Sequence, residues 1–237
     1  MHKENIIQPL AAFAATAIAA LVLLWVLAIG EIAYSMAAHE LGINGLLAMA
    51  IACLNTTIGW LFIVPWLLAL FLPVSFVSPH LAMRMLQGVF LLLLIVHLLL
   101  VNYFSKALVP LGADLYGYSW KDIEQTVGAA GGIPWQFILL LIVLLVLQSL
   151  LFRLARKKIK VPAMVTLSIA GAGILLTFTG RPDLTSGSTE FTRNLLTDKF
   201  SFFVDRSWEH FFPDRTGTDI YADSYLPADP SSIIGLP

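Results

Sequence analysis

"PLAAFAATAIAALVLLWVLAIGEI", Pro9 to Ile32, decides what kind of protein this is. A helix rises 1.5 Å per residue, and crossing the roughly 30 Å hydrocarbon core of a bilayer takes about 20 apolar residues. The stretch is long enough. Lipid offers no hydrogen-bond partner to a bare backbone, so the segment can cross only as a helix that satisfies itself. Small residues in "SMAAH", Ser35 to His39, invite comparison with a cleavable signal peptide. The apolar run is about twice the usual hydrophobic core of such a peptide, which argues for a retained anchor.

Four more segments read the same way: Leu46 to Leu72, Met83 to Phe104, Pro134 to Phe152 and Val161 to Thr179. Of the 237 residues 58% are hydrophobic and 12% charged, with a mean hydropathy of +0.83. Soluble domains carry about a quarter charged residues, so the chain falls outside their class. The expectation is an all-α membrane protein of five transmembrane helices over residues 1–180, followed by a tail over 181–237.

Basic residues orient such a bundle. "RLARKKIK", Arg153 to Lys160, has five bases and no acid, and should face the cytoplasm. Alternation then puts the N-terminus and Arg84 inside. Ala33 to Gly45, which carries Glu40 and no base, falls outside with Ser105 to Ile133 and the tail. A cytoplasmic N-terminus and an extracytoplasmic C-terminus satisfy every loop. The basic run also suits anionic lipid. Clusters of this kind elsewhere bind nucleic acid or solvate a turn, but between two spans it reads as a topology signal, and nucleic acid is not an expected partner.

The tail has ordinary soluble composition. "STEFTRNLLTDKFSFFVDRSWEHFF" places Leu196, Phe200, Phe203, Ser207 and Phe211 at helical spacing, with Leu195, Val204 and Trp208 alongside. An amphipathic helix follows, with Ser188 or Thr189 as N-cap and with Asp198, Lys199, Asp205, Arg206 and Glu209 largely on the other face. Phe200, Phe203, Trp208 and Phe211 suit an interfacial helix on the membrane surface, or one docking a following domain. The plainer alternative is a helix resting on the loops of its own protein. The last residues, "PDRTGTDIYADSYLPADPSSIIGLP", read as an extended linker.

Chemistry is sparse. His39 and Glu40 adjoin on the first outer loop and Asp114 lies on the second, without the spacing of a metal site. They read as polar groups at a wet interface. His97, within "LLLLIVHLLL", is ionisable in a membrane helix and so a functional candidate, against the commoner role of a neutral interhelical hydrogen-bonder. Asn55, Thr56, Thr57, Gln87, Asn102 and Gln148 can bond between helices. Pro65 should kink the second span. Cys53 is single, which excludes an internal disulfide. No phosphate loop, CxxC, HExxH or GxSxG occurs. Five spans cannot form equal halves, which disfavours a small transporter.

The most distinctive loop is "NYFSKALVPLGADLYGYSWKDIEQTV", Asn102 to Val127. Tyr116, Tyr118 and Trp120 suit the headgroup region, where amphipathic rings are favoured. Pro110 and Gly112 should turn the chain after the third span, and "SWKDIEQTV" could form a short surface helix with Ile123 and Val127 on one face. Together with the tail motif "TDKFSFFVDRSWEHFF", this loop resembles the membrane-embedded N-terminal part of the lipoteichoic acid synthase family in its Bacteroidetes-type form. These are phosphoglycerol transferases of the alkaline phosphatase and sulfatase superfamily.

The resemblance implies a membrane anchor and lipid-presenting module of an extracytoplasmic phosphoglycerol or phosphoethanolamine transferase, in a bacterial cytoplasmic (inner) membrane with the tail periplasmic or extracellular. It implies a phosphatidylglycerol-type lipid donor, and it makes Asp114, Tyr116, Tyr118, Trp120, His39 and Glu40 the candidates for headgroup contact. The family's Thr nucleophile and its divalent metal, such as Mn or Mg, belong to a catalytic domain that this chain does not contain. No catalytic, cofactor or metal residue is therefore assigned here. The chain is either a piece of a longer protein or a stand-alone anchor. The competing expectation is a non-enzymatic integral membrane subunit of an envelope complex.

Overall fold

A computed structural model describes residues 4–117, 135–158, 161–180, 182, 184–185 and 189–212. Among them the secondary structure is entirely helical. The helices are α1 (Glu4–Ala38), α2 (Gly45–Val77), α3 (Pro79–Ala107), α4 (Trp135–Lys158), α5 (Ala163–Thr179), α6 (Glu190–Leu196) and α7 (Lys199–Phe211), with a 3-10 turn at Ala113–Gly117.

Four helices, α1 to α4, are long and apolar enough to cross a membrane, while the apolar part of α5, Met164–Thr179, is shorter. At 1.5 Å per residue the 17 residues of α5 span about 25 Å, just under the hydrocarbon thickness. The outward side chains of α4, among them Leu139, Val143, Val146 and Leu150, are apolar and exposed. A belt of that kind belongs against lipid rather than water.

Helix α1 is the axis of the bundle, touching α2, α3, α4 and α5. Its composition explains this position. Ala14, Ala15, Ala17, Ala19, Ala20 and Ala28 are all buried, and small side chains let neighbouring backbones approach closely where no water-driven force assembles helices. Thr166 of α5 donates its hydroxyl to the Leu10 carbonyl at 3.2 Å, tying the shorter α5 to the first helix. Trp60, Phe90 and Phe152 form a ring ladder through α2, α3 and α4, with centroids 5.2 and 6.0 Å apart.

Local signals set the boundaries. Asn44 caps α2 by accepting from Leu46 and Leu47 amides. Ser78 ends α2 and caps α3, whose first residue is Pro79; proline is favoured there because its missing N–H would have no helical partner. Leu108 ends α3 in the left-handed region, φ 58°, before Pro110 and Gly112.

Helix α1 continues to Ala38, six residues past the expected end at Ile32, and α2 to Val77 rather than Leu72. Pro65 and Pro73 sit inside α2 without ending it. The single tail helix expected over 188–212 is two, α6 and α7, meeting at Thr197 and Asp198. Each has its own cap: Thr189 accepts from the Thr192 amide, and Asp198 from that of Ser201.

Candidate functional site

The tail does not lie apart from the bundle. Helix α6 plugs into a socket built by the ends of α1, α2 and α3, where Leu195 and Leu196 bury against Ile32, Ala28, Leu41 and Phe104. The buried Thr192 hydroxyl donates to the Leu41 carbonyl, and Asn55 of α2 donates to the Leu196 carbonyl at 2.8 Å. Asn55 of the "NTT" triplet is thus spent on the tail. Thr57 accepts from Trp25 Nε1 at 2.9 Å and donates to the Cys53 carbonyl at 2.7 Å, bridging α1 and α2 as its sequence position suggested.

Beside the socket lies a buried ion pair. Lys199 Nζ stands 3.1 Å from Glu31 Oε1, with side chains 2% and 8% exposed. Lys199 also donates to the carbonyls of Leu195 at 2.6 Å and Thr197 at 3.0 Å, and sits 4.2 Å from the centroid of the Phe104 ring. The Glu31 contact lacks hydrogen-bond alignment, so it is a charge pair first. Burial pushes the Lys199 ammonium below its usual range, and the Glu31 carboxylate opposes that shift. With the pair and both carbonyls engaged, Lys199 is a fastener and not a free base.

Asp198 joins this fastener to two recesses. Outward is an open cleft of about 240 Å³, lined by Asn55, Gly59, Thr185, Asp198, Ser201 and Asp205. Inward is a pocket of about 20 Å³ that holds His97, Thr56, Trp60 and Phe200 against the same Asp198. Gly59 makes the approach of α7 to α2 feasible: a Cβ there would strike Ser201 Oγ and lie 2.9 Å from Asp198 Oδ2. Ser201 is buried, and its hydroxyl has no hydrogen-bond partner.

The expected headgroup residues scatter. Asp114 lies in the 3-10 turn, with its side chain outside the described residues. Tyr118, Trp120, Ile123 and Val127 lie outside them too, as do Ser188 and the 213–237 linker. Tyr116 turns to the tail: its hydroxyl donates to Ser207 Oγ at 2.7 Å, and its ring lies 5.1 Å from His210, 4.8 Å from Phe211 and 6.4 Å from Phe203. His39 packs its ring 5.0 Å from Phe191 of α6, while Glu40 is exposed. Of the docking residues, Phe200 and Phe203 face the chain's own bundle and loop. Trp208 and Phe211 remain exposed.

Sequence reasoning set Lys199 on the outward face of its helix and did not single out Glu31. The signal was present: Glu31 is the only acid within the first apolar run, and a charge there demands a partner. The described residues contain no group of His, Cys, Asp and Glu able to hold a metal ion.

Tyr116→Phe is expected to lower stability by about 1 kcal/mol or less, the net worth of one partly exposed hydrogen bond. Tyr116→Ala should cost more, because it also removes the ring contacts. Thermal unfolding of the two variants in detergent checks the order. No family model, curated protein or solved structure matches the chain.

Proposed function

We propose that this chain is the membrane anchor of an extracytoplasmic lipid-headgroup transferase, of the phosphoglycerol or phosphoethanolamine class, and is not itself catalytic. The single observation that carries the reading is the Glu31–Lys199 pair, which fastens the tail into the bundle. A domain carried by the tail would be held at a fixed height above the bilayer, with Tyr116 clasping α7 from the side. The loop and tail motifs that resemble the lipoteichoic acid synthase family support the same reading. So does the charge asymmetry around Arg153 to Lys160, which favours five spans with the tail outside. The cleft beside Asp198 is then the recess nearest the substrate headgroup. The donor is a phosphatidylglycerol-type lipid, and the divalent metal belongs to the carried domain.

Membranes containing the product of the complete gene are expected to release diacylglycerol from fluorescent phosphatidylglycerol, with a requirement for Mn or Mg. A complete gene without a catalytic domain, together with membranes that release none, would sink the reading and favour the envelope-complex subunit. Alkaline phosphatase fused after Thr185 should be active; an inactive fusion overturns the outside placement of the tail.

A further inference from the structure

A second polar recess lies at the opposite end of the bundle, and of its residues the transferase reading uses only Arg153, as part of a topology signal. It is a cleft of about 240 Å³ between α3 and α4, lined by Gln87 and Gly88 on one side and Gln148, Ser149 and Arg153 on the other, with Phe152 against it. Gln148 is 5% exposed, yet its Oε1 has no hydrogen-bond partner. Ser149 cannot supply one, since its hydroxyl donates to the Leu145 carbonyl at 3.0 Å. A Cβ on Gly88 would meet nothing within 4 Å, so the space continues past the α3 backbone. Arg153 is exposed, and Arg84 is exposed one helical turn before Gly88.

A buried acceptor left unmet is costly, so the cleft calls for a donor at Gln148. At its rim it offers a guanidinium, which suits a phosphate. The surrounding exposed surface of α4, including Val146 and Leu150, is apolar. A water molecule would answer Gln148 but would leave the guanidinium and the apolar walls unused.

We propose that this cleft binds an anionic phospholipid with a hydroxylated headgroup, of the phosphatidylglycerol type. The phosphodiester rests at the rim on Arg153, a headgroup hydroxyl donates to Gln148 Oε1, and the acyl chains follow the exposed faces of α3 and α4. Basic recesses between membrane helices hold lipid headgroups for this reason. The lipid would serve as a wedge filling the gap between two helices that touch little elsewhere.

The test uses the full chain, reconstituted with equal phosphatidylglycerol and phosphatidylcholine and read by mass spectrometry of retained lipid. Phosphatidylglycerol should be retained about tenfold over phosphatidylcholine, the worth of a headgroup hydroxyl on a buried acceptor that phosphatidylcholine leaves unmet. Gln148→Leu and Gly88→Leu should each erase most of that preference, and Arg153→Gln should weaken it and remove its salt dependence. Gln148→Leu changes volume little, so it decides the matter if Gly88→Leu fails to fold. Equal retention of the two lipids, or a preference untouched in Gln148→Leu, overturns the proposal. So does displacement of the lipid by an equal concentration of free glycerol phosphate, which would assign the cleft to a soluble anion.

Discussion

Lys199→Ala is expected to release the tail from the bundle and to lower stability by about 3–5 kcal/mol, the usual loss when one partner of a buried ion pair is removed. The reason is what stays behind. Glu31 is 8% exposed and stands next in the chain to Ile32 of the α6 socket. Its carboxylate would either remain charged without a partner or take up a proton. The Leu195 and Thr197 carbonyls would lose their shared donor as well. Trypsin cleavage at Arg193 and Arg206 should speed up sharply in the variant, and the melting transition in detergent should fall. Glu31→Leu combined with Lys199→Met should recover most of the loss, because neither charge is then buried alone and apolar replacements of such pairs are often neutral or better. If Lys199→Ala alone melts and is cleaved like the parent, the tail is held by Leu195 and Leu196, and the ion pair is incidental.

That pair also shows where sequence reading reached its limit. The four long helices were legible because a lipid-facing backbone has one solution, and long apolar runs announce it. Their ends were less so. Glu31 read as the close of a span, yet nothing between Ile32 and Ala38 breaks a helix. The first such residue afterwards is Gly42, at φ 67°. In the tail, periodicity grouped Lys199 with the charged residues set largely off the apolar face, and left Trp208 and Phe211 on that face, yet Lys199 is buried and those two rings are exposed. Local spacing cannot see a carboxylate on another helix, and a pair of charges can be buried together when neither could be alone. The break at Thr197–Asp198 was visible in principle, since "TD" before "KFSF" is a capping signal that a continuous apolar stripe concealed.

Gly173→Ala is the second substitution expected to act strongly, and the cause lies in α2. Pro65 has no amide hydrogen, so the carbonyl four residues earlier, that of Leu61, loses its helical donor. Helix α5 meets α2 at that place. A Cβ on Gly173 would stand 2.7 and 2.9 Å from Pro65 Cγ and Cδ and would run into the Leu61 carbonyl oxygen. Glycine there allows the backbone of α5 to cover the freed carbonyl, where a Cα–H contact can partly answer it. A backbone oxygen cannot rotate away as a side chain can. Adding one methyl group should therefore lift α5 off α2 and cost about 1–3 kcal/mol, the range for overpacking a close contact. Gly171→Ala is the control: the same change two residues away meets nothing within 4 Å, and glycine to alanine in a helix is favourable by itself. The two variants should differ clearly in melting temperature, with Gly171→Ala at or above the parent. Equal melting would mean that α5 is not seated on Pro65, and that the shortest of the five apolar helices owes its place to lipid rather than to α2.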